Sequence, residues 1–156
     1  MLMMDIINLQ SIPLLNGLKE AELTTFIKIL TLIKYQPDGT IFDEQKGGNQ
    51  LYIIIKGKVE ISRKIQEDKR QVLTILNPPE FFGSLSFMDG KPHSATAKAQ
   101  VETELAQLQR EDFNLFMQEN PGAGYKVLHA IADSIAKLVR HMDQQYIDVV
   151  RLSYCI

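Results

Sequence analysis

The stretch of this sequence whose residue types best suit binding chemistry is FFGSLSFMDGKPHSATAKA, residues 81–99. Gly83 can take a left-handed or tight backbone and lets a ligand approach the main chain closely. Ser84, Leu85 and Ser86 follow it. Their amides can form the exposed start of a short helix or a nest, an arrangement that favours phosphate or carboxylate. Beyond Pro92, His93 and Ser94 can reach the same concavity if the DGK turn folds back. A plainer alternative is a strand–turn–strand connection in which Phe82 and Phe87 are simply core residues. The residues leave both readings open.

Other chemistry finds no footing. The histidines are His93, His129 and His141. The last two are too far apart on one helix to share a metal, HExxH is missing, and His93 has no cysteine or second histidine near it in sequence. No metal site is expected. GxSxG, P-loop and GxGxxG patterns are missing too, and no nucleophile stands beside an obvious base. No catalytic residue is nominated, and an enzyme is not expected.

The elements that must position residues 81–99 show in the texture of the chain. Residues 8–32 read as an N-terminal helical part, with Leu18, Leu23, Phe26, Ile27 and Leu30 at amphipathic spacing. Lys19 stands where a Ser, Thr or Asp cap would be expected. Residues 33–108 carry short β-branched runs, LYIIIKG, KVEISRK and QVLTIL, with turn punctuation at Pro37–Gly39, Gly47–Gly48, Pro78–Pro79 and Gly90–Pro92. Many short strands at close intervals predict a small sandwich or jelly roll. Residues 110–150 return to helical spacing. EDFNLFMQEN is a short helix, and Asn120-Pro121 a cap followed by proline at the first position of a long one.

On that long helix Leu128, Ile131, Ile135, Leu138 and Met142 are spaced 3, 4, 3, 4, the stripe of a helix lying along a similar partner. Covering the sandwich core would use such a face equally well. A second apolar surface, Val127, Ala130, Val139 and Tyr146, lets one helix meet its own domain and a partner subunit together. A homodimer through this helix is the expectation.

Length and charge bound the rest. The 156 residues are 45% hydrophobic and 23% charged, enough for one core and hardly for two. With 17 basic and 19 acidic residues the net charge is -2, which argues against a polybasic nucleic-acid arm. Cys155 has no internal disulfide partner, the start has no basic region before its apolar residues, and no apolar run reaches membrane length. A single cytoplasmic domain is expected.

These residues resemble the cyclic-nucleotide-binding domain, the effector domain of catabolite-activator-type and FNR-type bacterial regulators. The likeness runs from IPLLNGL through PDGTIFDEQKGGNQLYIIIKGKVEI and FGSLSF to the EDF helix and the long helix. Gly39, Gly47 and Gly57 match turn glycines of the family's jelly roll, and Phe82-Gly83 opens its phosphate-binding cassette. The resemblance implies an α+β, mainly β fold: a small double-stranded jelly-roll β-sandwich flanked by an N-terminal helix and a long C-terminal dimerisation helix.

The cassette departs from the family pattern at two places. Ser84 stands where a glutamate would hold the ribose hydroxyl, and His93 where an arginine would hold the phosphate, with Ser94 beside it. Arginine is a permanently charged fork, whereas histidine is mostly neutral near pH 7. Two such losses, each about 1–3 kcal/mol if buried, weaken affinity by roughly a few powers of ten. Lys91 and Lys98 are the nearby cations, and Lys98 alternates away from Ser94 and Thr96. The ligand-binding residues are therefore expected to be Gly83, Ser84, Leu85, Ser86, His93 and Ser94. A cyclic nucleotide would be held weakly or not at all, and another small anion is the alternative ligand.

After Gln145 only YIDVVRLSYCI remains, too little for the family's winged helix-turn-helix. Direct DNA binding by this chain is not expected. The leading expectation is a homodimeric sensor or protein-interaction module. The alternative is a regulator of this type whose DNA-binding domain is missing, truncated or supplied by a partner.

Overall fold

A computed structural model describes residues 9–154. Cys155 and the first eight residues, on which the reading of the chain's start rests, lie outside them. Helix α1 is Glu20–Ile27. Strands β1 to β6 are Leu30–Tyr35, Thr40–Phe42, Gln50–Lys56, Val59–Gln66, Lys69–Leu76 and Phe81–Phe82. Helix α2 is Ser84–Asp89, strands β7 and β8 are Thr96–Ala99 and Thr103–Gln109, and helices α3 and α4 are Arg110–Glu119 and Pro121–Tyr154.

The strands form two four-stranded antiparallel sheets, in the orders β1-β8-β3-β6 and β2-β7-β4-β5. This is the expected jelly-roll sandwich with helices before and after it. The LYIII run is apolar without alternation because β3 is covered on both faces. Leu51 and Ile53 join the helices in one core cluster, while Tyr52 and Ile54 join Val59, Phe82, Ala97 and Leu105 between the sheets. Ala106 and Leu108 of β8 belong to the first cluster and Leu105 to the second.

The helical part expected over residues 8–32 gives way to β1 at Leu30. The β-branched Thr31 and Ile33 favour a strand there, and pairing with β8 from Leu30↔Leu108 to Tyr35↔Thr103 supplies the ladder. Lys19 precedes α1 without capping it through its own side chain. Its backbone N–H donates to Glu22 Oε2 at 2.8 Å, and the same oxygen accepts Lys126 Nζ at 2.8 Å. One carboxylate thus closes the helix start and ties it to α4. Both hydrogen bonds hold the Glu22 carboxyl below its usual range, the one from Lys126 most strongly.

Helix α4 has 34 residues, about 51 Å at the ordinary rise. It starts at the expected proline. Ala123, Gly124, Val127 and Ile131 are buried against the rest of the domain, whereas Leu138, Val139, Met142 and Tyr146 are exposed. Among the described residues, no helix is long and apolar enough to cross a membrane.

Candidate functional site: a cavity between the sandwich and the long helix

Residues 81–99 fold as a short strand, a left-handed glycine, a single helical stretch and a return strand. Gly83 has φ of 86° and ψ of 8°, and a Cβ there would lie 2.8 Å from the Gln50 carbonyl oxygen. Positive φ and a crowded main chain together demand glycine. The Gly83 carbonyl accepts the Phe87 N–H at 3.0 Å to start α2. At the other end the Gly90 N–H donates to the Ser86 carbonyl at 2.8 Å, and Arg110 Nε donates to the Phe87 carbonyl at 2.8 Å. Phe82 and Phe87 are both buried. The helix start and the aromatic core, posed as alternatives by the sequence, coexist.

His93 is held by its main chain. Its N–H donates to the Lys46 carbonyl at 3.2 Å, and its carbonyl accepts the Gln45 N–H at 2.7 Å. These bonds lay the imidazole flat on Phe42, with ring centroids 3.6 Å apart and planes 7° apart. Phe42 also leans on Phe82 and Tyr52, so His93 ends an aromatic array. The side chain is only 4% exposed, and its Nε2 is buried with no hydrogen-bond partner among the described residues. Burial lowers its pKa below the ordinary histidine value, so the neutral ring is the resting form.

Gly83, Ser84, Leu85, Ser86, His93 and Ser94 all line one cavity of about 290 Å³. The DGK turn at residues 89–91, ahead of Pro92, folds back far enough for His93 and Ser94 to share the cavity with residues 83–86. Further lining comes from Phe42, Ile61, Thr74, Leu76, Glu80 and Phe82 of the sandwich, and from Ser134, Ile135 and Leu138 of α4. Sequence reasoning placed Phe82 at the cassette's opening and Ile135 and Leu138 on the helix stripe alone, and it missed Phe42, Ile61, Thr74, Leu76, Glu80 and Ser134, which sheet closure and the docking of α4 gather. Ile61, one of the apolar positions of the alternating KVEISRK run, offered the nearest signal.

The five residues of the helix stripe separate. Ile131 is fully buried in the chain's own core cluster. Leu128 and Ile135 are half-buried and pack on the same cluster. Leu138 and Met142 are exposed, at 43% and 57%. Lys91 and Lys98 are exposed, and neither lines the cavity.

The structure thus joins a jelly roll, a left-handed glycine and short helix at a cavity, and a long helix backing it. The cyclic nucleotide-binding domain family matches residues 32–120, more than half of the chain, and the chain belongs to that family. It is similar to the cyclic AMP receptor protein of Thermus thermophilus, with 31% identity over 131 residues, 84% of this chain and 59% of the relative. It also resembles a CRP-like cAMP-activated global transcriptional regulator of Mycobacterium tuberculosis, at 28% identity over 116 residues, 74% of this chain and 52% of that one. Among solved structures, the N-terminal domain of a transcriptional regulator from Streptomyces coelicolor superposes with a TM-score of 0.75 at 26% identity, covering 88% of this chain and 95% of that one. The chain spans a little over half the length of these two relatives.

Proposed function

We propose that the chain is the effector part of a transcription regulator of the catabolite-activator type. Occupancy of the cavity would be read out through α4, and two copies would associate along the exposed half of that helix. The observation that carries this reading is that Ser134, Ile135 and Leu138 wall the cavity from α4, immediately before the exposed apolar positions Val139, Met142 and Tyr146. A molecule in the cavity therefore bears on the helix that would hold the partner. The Mycobacterium tuberculosis relative and the Streptomyces coelicolor domain are named as transcriptional regulators, and this favours the regulator reading over the stand-alone sensor module that the sequence first suggests.

Cyclic AMP, for which the Mycobacterium tuberculosis and Thermus thermophilus relatives are named, is a poor fit here. Ser84 and a neutral, stacked His93 supply neither of the charged groups that the family cassette uses. The test is immunoprecipitation of the natural gene product after crosslinking, with sequencing of the recovered DNA. Enrichment at discrete promoter-proximal sites is expected. A uniform background would return the chain to the sensor-module reading.

A further inference from the structure

The family cassette and the residue types at 83–86 suggest an anion, yet the cavity is not furnished for one. Among the described residues that line it there is no lysine and no arginine. The one titratable base, His93, is buried, stacked on Phe42 and held neutral by desolvation. The one charged lining residue is an acid. Glu80 sits in the turn before β6, fixed by its carboxylate accepting the Asn77 N–H at 2.7 Å, with its own N–H donating to the Asn77 carbonyl at 2.8 Å.

An anion entering this space would leave water without a cationic partner and meet a carboxylate of its own sign. Both effects oppose binding. Lys91 and Lys98 are exposed and do not line the cavity, and two arginines are engaged in other contacts. Arg70 pairs with Glu44 at 3.0 Å, and Arg110 closes the end of α2. What the cavity does offer is an apolar body, from Phe42, Ile61, Leu76, Phe82, Ile135 and Leu138, with hydroxyls of Ser84, Ser86, Ser94, Thr74 and Ser134 around it. The exposed Glu80 carboxylate at the rim is a strong acceptor for ligand O–H and N–H groups.

We infer that this cavity takes an uncharged ligand of nucleoside size, with a flat or aliphatic apolar body and several hydroxyl or amino donors, and that it discriminates against the same molecule carrying a phosphodiester. The volume of about 290 Å³ sits near the lower end of small-molecule sites. Glu80, from the turn before β6, is the lining carboxylate available as an acceptor at the rim. The inference rests on the ligand-sensing reading of the domain but not on its acting at promoters.

The test is calorimetric titration of the full chain with two matched pairs: adenosine against 3′,5′-cyclic AMP, and guanosine against 3′,5′-cyclic GMP. Within each pair the ligands differ in the phosphodiester and its charge. At least one nucleoside is expected to bind about tenfold more tightly than its cyclic monophosphate. A cyclic monophosphate that binds as well as or better than its nucleoside overturns the inference, and so does failure of both nucleosides to bind at about 1 mM. H93R places a cationic fork at the cavity and is expected to move the ratio about tenfold towards the cyclic monophosphate. Should that buried substitution fail to fold, E80Q on the rim serves instead. It is expected to weaken the nucleoside and to improve the cyclic monophosphate. An unchanged ratio in the folded variant counts against lining charge as the selector. Nucleoside binding without promoter enrichment would keep this inference and retire the regulator reading alone.

Discussion

The two halves of α4 carry the same apolar spacing and meet opposite fates. In the first half, Ala123, Val127 and Ile131 disappear into the domain's own core beside Phe26, Phe113 and Phe116. Lys126 pins that half to α1 through Glu22 at 2.8 Å. In the second half, Leu138, Val139, Met142, Tyr146, Ile147, Val149 and Leu152 stand in solvent, and the ion pair Lys137–Asp133 stays within the helix. The cavity lies at the boundary, lined by Ser134, Ile135 and Leu138. Heptad-like spacing therefore states that a helix face will be covered, and it leaves open by what.

Ile131→Ala should produce the largest effect on this contrast. Removing a fully buried branched side chain from a closely packed cluster costs about 2–4 kcal/mol, seen as a lower urea midpoint with an unchanged slope. A cost like that of a surface substitution would show the first half to be less committed to the core than its burial implies. Leu138→Glu is expected to act on association instead. Sedimentation equilibrium should show the proposed dimer reduced to monomer, while unfolding of the monomer shifts by only about 0.5 kcal/mol or less. A variant that stays fully dimeric would move the interface off this half.

The smallest effect concerns the aromatic array beside the boundary. Because burial lowers the pKa of His93, the unfolded chain takes up its proton more readily than the folded one. The stability this neutral ring contributes is complete above the unfolded histidine value, about 6.5. It declines as pH falls below that value toward the lowered folded one. Denaturation measured from pH 8 to 5 should show this decline, and His93→Phe should flatten it. A wild-type profile identical to that of the variant would mean that the imidazole is not held neutral.

Much of the architecture was legible in the chain. The strand runs and their punctuation anticipate the sandwich, and Asn120-Pro121 marks the start of α4. Gly83 was legible as a special backbone position because only glycine joins a left-handed φ to a main-chain contact. The end of α1 was less so. Leu30 continues a helical period, and its strand fate comes from β8, more than seventy residues away. Four wall residues of the cavity, Thr74, Leu76, Glu80 and Ser134, carry no local signature at all. A hydroxyl or carboxylate becomes a site residue through what closes around it.

By itself the sequence determined which residues could bind, which segments would be strands or helices, and that Ser84 and His93 break the family's charged cassette. Those are local properties of side-chain chemistry, backbone freedom and apolar period. The tertiary structure decided that Ile131 belongs to the core and Leu138 to the boundary. It also decided that His93 is a neutral aromatic wall rather than a cation, and that Glu80 is the charged residue at the cavity's rim. The physical reason is that burial and the effective charge of a group depend on neighbours brought in from distant parts of the chain.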